Sequence, residues 1–183
     1  GDLLKNSKNK DNQIIIFEST VYHGATEEIC IPLIEKYSNK KYNSDKFESS
    51  FYCGYSPERI NPGSRKKITT IPKIIGADDT KSLNMARKIY SKVFNRVICT
   101  NNSSYAEAAK LTENIFRSVN IALVNELKII YDKMGIDIWE VINLAKTKPF
   151  GYMPFYPGPG LGGHCIPIDP LYLSWQAKNF GLE

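Results

Sequence analysis

Residues 71–100 read IPKIIGADDTKSLNMARKIYSKVFNRVICT, and they decide the fold class. Ile71–Gly76 is a short apolar run, which predicts a strand. One of the two aspartates before Thr80 can cap a helix over Thr80–Val93, whose apolar residues recur at helical spacing. Arg96–Thr100 is a second apolar run of strand length. A strand, a helix and a strand in this order predict an α/β fold.

The residues before this stretch extend the pattern. Residues 12–19, NQIIIFES, form an apolar run that predicts a buried strand of a parallel sheet, and residues 51–55, FYCGY, predict another. Between them, residues 25–37 have helical spacing, and Pro32 predicts a kink or an early stop in that helix. Residues 38–48 are polar and lysine-rich, which predicts a surface connection. The whole segment predicts a doubly wound sheet.

The residues after the second strand have a helical pattern only. Apolar residues recur three to five positions apart from Ser104 to just before Gly135, which predicts a helix of about 45 Å at 1.5 Å per residue. A helix of that length links domains or packs against a second subunit. Asp137 is expected to cap one more helix. We therefore predict a sheet domain over residues 1–102 and an all-helical domain over residues 103–183.

Composition excludes several classes of protein. The 183 residues are 42% hydrophobic with a net charge of +5 spread along the chain, and they contain neither an apolar run of membrane-spanning length nor a signal-peptide pattern. This predicts a cytoplasmic protein that binds an anionic small ligand, with no nucleic acid or membrane partner. The absence of Met at position 1 suggests an excised piece of a longer protein. No C-x-x-C pair occurs among the cysteines, so we expect free thiols and no metal site at Cys30, Cys53, Cys99 and Cys165.

A glycine-rich segment at residues 156–170, YPGPGLGGHCIPIDP, holds the candidate nucleophile. Dense glycines let backbone N–H groups approach a ligand, and Cys165 follows them directly, where its thiol could attack bound substrate. The alternative is that Cys165 is a small buried apolar residue. Asp169 and Pro170 are predicted to be the N-cap and first residue of a helix. The glycines are Gly158, Gly160, Gly162 and Gly163.

Three of these glycines also spell G-x-G-x-x-G, the spacing of a dinucleotide-binding loop. That spacing is meaningful only between a strand and a helix, and here it follows the aromatic and proline-rich run PFGYMPFYP. We therefore reject it as the phosphate loop of a cofactor.

Two further groups of residues are candidates for chemistry. Ser19 and Thr20 end the first predicted strand, at the edge where α/β sheets bind ligands, although Thr20 could instead cap the next helix. Lys110, Asn114 and Arg117 lie at i, i+4 and i+7 of the long helix and share one stripe. A lysine and an amide together can stabilise an oxyanion, whereas charged residues at helical spacing can also be a solvated face.

Four motifs resemble the UDP-glucose/GDP-mannose dehydrogenase family. They are ESTVYHGATEE (18–28), YSPERINPG (55–63), AEAAKLTENIFRSVNIALVNE (106–126) and GPGLGGHCIPIDPLYL (158–173), in that order. The resemblance runs over almost the whole chain. It implies the second half of a Rossmann-like parallel sheet followed by a central helical domain that dimerises through its long helix.

The resemblance also implies a reaction and a set of roles. Members oxidise carbon 6 of a nucleotide sugar twice with NAD, through a cysteine thiohemiacetal and thioester. Cys165 would be the nucleophile, Lys110 and Asn114 would hold the oxyanion, and Glu58 would assist thioester hydrolysis. Asp169 and Thr20 would bind the water that relays protons. The cofactor contacts would be Ser19, Thr20 and Glu58, and the substrate contacts would be Gly158, Gly160, Gly162, Gly163, Arg117 and His164.

Two departures from the family pattern refine the prediction. Members acting on UDP-glucose resemble FGGSCFPKD around the cysteine, whereas this chain has His164 before the thiol and Ile168 in place of lysine. These two differences are similar to the branch of the family that acts on UDP-N-acetylhexosamines, most of all UDP-N-acetylglucosamine, in polysaccharide biosynthesis. His164 could contact the substrate or have only a structural role. The N-terminal glycine motif and the C-terminal nucleotide-gripping domain are missing, so we expect the chain alone to be inactive.

Several alternatives stay open at this point. The substrate could be UDP-glucose or UDP-N-acetylmannosamine. The enzyme could be a single-step dehydrogenase similar to 6-phosphogluconate dehydrogenase, although that chemistry has no use for Cys165. The chain could be a dimerisation module without activity. A cysteine hydrolase is more distant, because only His164 and His23 are available as a base.

Overall fold

A computed structural model describes Leu4, Asn6 and residues 13–43, 50–60 and 67–182. Asn12 of the first predicted strand and residues 44–48 of the predicted surface connection lie outside these residues. The chain divides into two compact units, Gly1–Lys110 and Leu111–Glu183. The division lies inside the long helix, whereas the predicted domain boundary between residues 102 and 103 coincides with the start of that helix.

The first unit contains a sheet in which one strand pair is antiparallel. β1 pairs with β3 in parallel and β4 pairs with β5 in parallel, while β3 and β4 run in opposite directions with Tyr55 opposite Gly76. A parallel connection needs a crossover, usually a helix, and the described residues between β3 and β4 form only a 3₁₀ turn at Ile68–Thr70. The α/β prediction is confirmed, with this one reversal. The strands are β1 (Gln13–Phe17), β2 (Lys41–Tyr42), β3 (Ser50–Tyr55), β4 (Lys73–Gly76) and β5 (Val97–Thr100).

Strand β2 falls where the sequence predicted a surface connection. It pairs with the start of β3, and Lys40 just before it is buried with its ammonium 2.6 Å from Gln13 Oε1. The prediction of a surface connection is therefore wrong for Lys40, which is buried, and for Lys41–Tyr42 in that they form a strand, although Lys41 itself is exposed. Two residues carry too little alternation to mark a strand, and a lysine normally indicates an exposed position.

The helices of the first unit begin where the sequence places them. A π-helix at Thr26–Cys30 continues directly into α1 (Ile31–Ser38), so Pro32 does not end the helix early. Proline has no N–H to donate, and here the rare π turn lies directly before it, so the helical chain continues past Pro32. Helix α2 (Thr80–Tyr90) is capped by Asp79, whose carboxylate accepts a hydrogen bond from Ser82 N at 2.8 Å.

Apolar residues cover both faces of the sheet. Ile15 and Phe17 of β1 pack on one face with Phe51 and Cys53 of β3, while Ile14 and Ile16 pack on the opposite face with residues of β4 and α2. Because both faces of each strand are covered, consecutive residues of a strand such as β1 have to be apolar.

Gly76 at the end of β4 allows the start of the long helix to lie close to the sheet. A Cβ at this position would be 2.7 Å from Ser103 Cα and 2.8 Å from Asn102 O. Both distances are shorter than atoms can tolerate, so the site accepts only glycine without movement of the backbone.

The second unit is helical. The long helix α3 (Ser103–Lys133) has 31 residues and is followed by α4 (Ile138–Ala145) and α5 (Asp169–Asn179). Asp137 caps α4 as predicted, since its carboxylate accepts from Trp139 N at 2.9 Å. Val124 of α3 packs with Ile138 and Ile142 of α4 in the core of this unit. No helix among the described residues is both long and apolar enough to cross a bilayer.

Helix α3 keeps part of its apolar surface in solvent. Val119, Leu123, Ile129 and Ile130 are each at least half exposed. The core of the second unit therefore covers only some of the apolar residues of α3.

Candidate active site

The carboxyl ends of β1 and β3 place the predicted cofactor residues at one edge of the sheet. The two strands are parallel neighbours, with Phe17 opposite Tyr55. Ser19 and Thr20 follow β1 and Glu58 follows β3, and the two loops are joined by a hydrogen bond from Glu58 N to Glu18 O at 3.3 Å. The helix after β1 begins only at Thr26, so the alternative role of Thr20 as its cap is excluded.

Glu58 is held from several directions. Its carboxylate Oε1 accepts from the backbone N–H groups of Arg59 at 2.7 Å and Ile60 at 2.8 Å. Its carbonyl oxygen accepts from Lys110 Nζ at 2.6 Å. The first unit therefore brings two predicted catalytic residues, Glu58 and Lys110, into direct contact.

Lys73 is a buried residue of this edge that the sequence analysis missed. Because β4 runs opposite to β3, its first residue lies beside the loop that follows β3. Lys73 Nζ is 2.8 Å from Glu18 Oε1 and 3.4 Å from the carbonyl oxygens of both Ser56 and Pro57. The signal available in the sequence was a lysine that opens an otherwise apolar strand, KIIG.

Tyr90 completes the surroundings of Glu18. Its hydroxyl donates to Glu18 Oε1 at 2.6 Å, and Lys73 Nζ lies 5.0 Å from the centre of the Tyr90 ring. Burial alone would raise the pKa of the Glu18 carboxyl, but the hydrogen bonds from Lys73 and Tyr90 and the charge of Lys73 outweigh it and lower the pKa. Burial, followed by the hydrogen bond to Glu18 and its charge, raises the pKa of Tyr90.

Glu107 is a second buried residue that the sequence analysis missed. It is fully buried, and its carboxylate accepts from Gly24 N at 2.6 Å, Thr26 N at 2.9 Å and Thr26 Oγ1 at 2.5 Å. The carboxylate thus satisfies backbone N–H groups at the start of the π-helix, which has no cap of its own. Glu107 lies one helical turn before the buried Leu111, and this spacing was the signal for a buried position.

In the second unit, Asn114 and Asp169 form a buried pair. Asn114 Nδ2 donates to Asp169 Oδ2, and Arg117 Nη2 donates to Asn114 Oδ1. Asn114 is fully buried and Asp169 is 2% exposed. The shared stripe of Asn114 and Arg117 is thus a contact within the protein, and Asp169 joins it from α5.

Asp169 does not have the local role that the sequence predicted. The N-cap of α5 is Ile168, and Asp169 and Pro170 are the first two residues of the helix. The Asp169 carboxylate contacts Asn114 of another helix, so it is not available to cap its own. The N-cap prediction is therefore wrong by one residue.

Cys165 lies in the turn that leads into α5, and it is exposed. Its carbonyl oxygen accepts from Ile168 N at 3.0 Å and Asp169 N at 2.9 Å, so one turn separates the thiol-bearing residue from the buried carboxylate. The alternative of a buried apolar cysteine is excluded. His164 beside it is exposed as well.

The glycine segment before Cys165 is irregular, with no strand between α4 and α5. This agrees with the rejection of its G-x-G-x-x-G spacing. Gly158 N donates to Asn125 Oδ1 at 2.9 Å, which ties the segment to α3. Gly162 and Gly163 have φ values of 66° and 75°, in the left-handed region where glycine is favoured.

The edge beyond β1 and β3 has the features of a cofactor site. Ser19 and Glu58 are exposed polar residues at the carboxyl ends of adjacent parallel strands, which is the side on which α/β sheets bind dinucleotides. Their side chains are polar, and the hydroxyl and amide groups of a dinucleotide such as NAD need polar partners of this kind. Among the described residues, no three potential metal-ligating side chains cluster together.

Comparison with known proteins decides the family. Residues 2–94 match the profile of the UDP-glucose/GDP-mannose dehydrogenase family, NAD binding domain, and residues 104–183 match that of the central domain of the same family. The chain belongs to this family. The predicted resemblance and the NAD cofactor of its first domain are therefore confirmed.

Individual family members are similar over most of the chain. It is 44% identical over 174 residues to the UDP-N-acetyl-D-glucosamine 6-dehydrogenase of Pseudomonas aeruginosa, covering 94% of this chain and 40% of that protein. It is 39% identical to the UDP-N-acetyl-D-mannosamine dehydrogenase of Methanocaldococcus jannaschii, covering 93% of this chain and 37% of that protein.

A solved family member has a similar fold. The UDP-D-ManNAc dehydrogenase from Pyrococcus horikoshii matches with a TM-score of 0.80 and 38% identity, covering 90% of this chain and 38% of that one. The chain thus spans about 40% of the length of these family members.

Proposed function

We propose that this chain is the catalytic core of a nucleotide-sugar 6-dehydrogenase that oxidises carbon 6 of UDP-N-acetylglucosamine twice, from alcohol to carboxylate. The observation that carries the proposal is the exposed Cys165 one turn before a buried carboxylate, Asp169, which pairs with Asn114. A single oxidation of an alcohol needs no thiol. An aldehyde releases hydride readily only after a nucleophile has added to it, which is the role of Cys165.

The chemistry follows from that thiol. The first oxidation converts the alcohol at carbon 6 to an aldehyde. The Cys165 thiolate adds to the aldehyde carbon and gives a thiohemiacetal, which loses a hydride and becomes a thioester. Water then cleaves the thioester, releasing the carboxylate and the free thiol. NAD bound at the first domain would accept the hydride of the first oxidation, and a second NAD that replaces it would accept the hydride of the second.

The other residues stabilise charge and move protons. Lys110 and Asn114 would hold the oxyanion that forms when the thiolate adds, since ammonium and amide N–H groups are the donors such a charge needs. Asp169 and Thr20 would bind the water that relays protons, and Glu58 would assist attack of water on the thioester. Lys110 already contacts the loop of Glu58, which supports a shared function for these two residues.

The remaining candidates would bind ligands. Ser19, Thr20 and Glu58 would contact NAD at the carboxyl edge of β1 and β3. The glycines between Gly158 and Gly163 would wrap the sugar by backbone contacts, and His164 and Arg117 would contact the substrate. Arg117 donates to Asn114 in this structure, so it would act partly by fixing that amide.

Identity to relatives supports an N-acetylated substrate. The P. aeruginosa protein named for UDP-N-acetyl-D-glucosamine is 44% identical, and the M. jannaschii protein named for UDP-N-acetyl-D-mannosamine is 39% identical. We favour the glucosamine form and take UDP-N-acetylmannosamine and UDP-glucose as alternatives. The product would supply a cytoplasmic route to a polysaccharide.

The exposed apolar surface of α3 supports a dimer. Val119, Leu123, Ile129 and Ile130 lie on this helix with half or more of their surface in solvent, and contact with a second copy would cover them. Sedimentation, which gives the oligomeric state, together with a direct measurement of NAD binding would separate this proposal from a dimerisation module that binds no cofactor.

The test of the reaction uses the full-length protein that contains this chain. NADH formed per sugar consumed is counted with UDP-N-acetylglucosamine, and the other two UDP sugars serve as competing substrates. Wild type and Cys99→Ser, the matched thiol control, should give two NADH per sugar, and Cys165→Ser should not complete the second oxidation. One NADH per sugar in wild type, or a fully active Cys165→Ser, would favour a single-step dehydrogenase instead.

A further inference from the structure

One buried ammonium contacts the loops that follow both β1 and β3. Lys73 Nζ binds the Glu18 carboxylate at 2.8 Å after β1 and the Ser56 and Pro57 carbonyl oxygens at 3.4 Å after β3. Ser19 and Thr20 come directly after Glu18, and Glu58 comes directly after Pro57. Every residue with a candidate NAD contact is therefore within two positions of a Lys73 contact.

The position is costly for a lysine, which argues for a specific role. The Lys73 side chain is 5% exposed, and a buried ammonium destabilises a protein unless its three N–H groups have partners. Here three oxygens surround it, and the rings of Tyr90 and Phe94 lie 5.0 and 5.5 Å away. An apolar residue would fill the same space without connecting the two loops.

Strand direction explains how Lys73 reaches these loops. In a fully parallel sheet the first residue of β4 would lie at the opposite edge from the carboxyl ends of β1 and β3. The reversal between β3 and β4 brings Lys73 to their edge, where Ser56 Oγ also donates to Ile74 O at 2.6 Å.

We propose that Lys73 is a positioning residue of the NAD site, which fixes the two loops so that Ser19, Thr20 and Glu58 are held ready for the cofactor. This inference rests on the proposed function for the NAD contacts of those three residues, and on the NAD-binding domain for the cofactor. Lys73 itself does not touch the cofactor and acts through Glu18 and the two carbonyl groups.

The test compares Lys73→Met with Lys88→Met in the full-length protein. Methionine keeps most of the length of the side chain without its charge, and Lys88 is an exposed lysine of α2. NAD affinity is measured by calorimetry, and the KM values for NAD and UDP-N-acetylglucosamine are measured separately. Lys73→Met should weaken NAD binding and raise the KM for NAD about tenfold or more, while the KM for the UDP sugar changes less than about twofold.

A merely structural lysine would give a different result. Lys73→Met would then lower the yield of folded protein and leave the NAD affinity of the folded fraction equal to that of Lys88→Met, which would overturn the proposal. Glu18→Gln provides a milder variant if Lys73→Met does not fold, because it keeps the shape of the side chain and removes the charge that pairs with Lys73. It should weaken NAD binding about two- to fivefold, and an unchanged affinity would also overturn the proposal.

Failure of the proposed reaction is distinguishable from failure of this inference. A wild-type protein that binds NAD but reduces none with any UDP sugar would contradict the proposed function. The calorimetric affinities of wild type, Lys73→Met and Lys88→Met would still decide the role of Lys73, because they require no turnover.

Discussion

Replacement of Glu107 by alanine should loosen the segment that leads from β1 into the π-helix. The fully buried carboxylate accepts three hydrogen bonds, from the N–H groups of Gly24 and Thr26 and from the Thr26 hydroxyl. Each buried donor left without an acceptor costs about 1–3 kcal/mol, and Glu107→Ala leaves three such donors, of which the Thr26 hydroxyl can rotate towards another acceptor. We therefore expect Glu107→Ala to destabilise this segment by about 3–5 kcal/mol.

Glu107→Gln should have a smaller effect. The side-chain oxygen of glutamine can still accept a hydrogen bond. Its NH₂ group, however, then faces a backbone N–H group, and two donors cannot form a hydrogen bond. One unsatisfied donor corresponds to about 1–3 kcal/mol. Glu126→Ala is the matched control, because Glu126 is an exposed glutamate of the same helix and should change stability by less than about 0.5 kcal/mol.

Amide hydrogen exchange measures this effect where it occurs. Both tryptophans, Trp139 and Trp175, lie in the second unit, so their fluorescence would not report on Gly24 or Thr26. A loss of about 3 kcal/mol in local stability raises the exchange rate of these amides on the order of a hundredfold. Exchange in Glu107→Ala within about threefold of Glu126→Ala would refute the reasoning.

Two further predictions concern ionisable groups. Burial raises the pKa of the Cys53 thiol to about 12, so iodoacetamide at a pH of about 8 should alkylate the exposed Cys165 and spare Cys53. In urea both thiols should react alike. Mass spectrometry of the peptides measures the order of alkylation, and the reverse order would contradict this prediction. The pKa of Glu18 in the folded protein is lowered from 4.5, so the ionised carboxylate stabilises the fold above that value, and this stabilisation is lost as pH falls through the folded pKa. The difference in free energy of unfolding between wild type and Glu18→Gln, measured by urea denaturation, should therefore shrink between about pH 6 and about pH 3. A difference that stays constant would contradict the Lys73 contact.

Features set by local spacing were predictable from the sequence. The long helix α3 and the caps Asp79 and Asp137 follow from periodicity and from side chains that bond nearby N–H groups. Cys165 was identified from its glycine-rich surroundings, and the structure places it in solvent next to a helix start.

Features set by distant contacts were not predictable in the same way. The reversal between β3 and β4 depends on how the intervening chain connects them, which no periodicity encodes. Lys73 and Glu107 were missed because a charged residue is normally exposed, and only the folded structure brings their partners together from residues 16–83 positions away in sequence. The partner of Asp169 is 55 positions away, so its N-cap pattern suggested a local role instead.

The absent side chain at Gly76 limits how this sheet can be re-engineered. Even a methyl group there would meet Ser103 Cα at 2.7 Å, so alanine would have to push the first turn of α3 outward. Lys110 lies two turns along the same helix, and its ammonium is 2.6 Å from the carbonyl oxygen of Glu58. A hydrogen bond forms only over a narrow range of donor–acceptor distances, so a shift of the helix would break this contact. A designer who grafts a new helix onto this sheet, or who replaces glycines to rigidify the protein, therefore has to leave position 76 untouched.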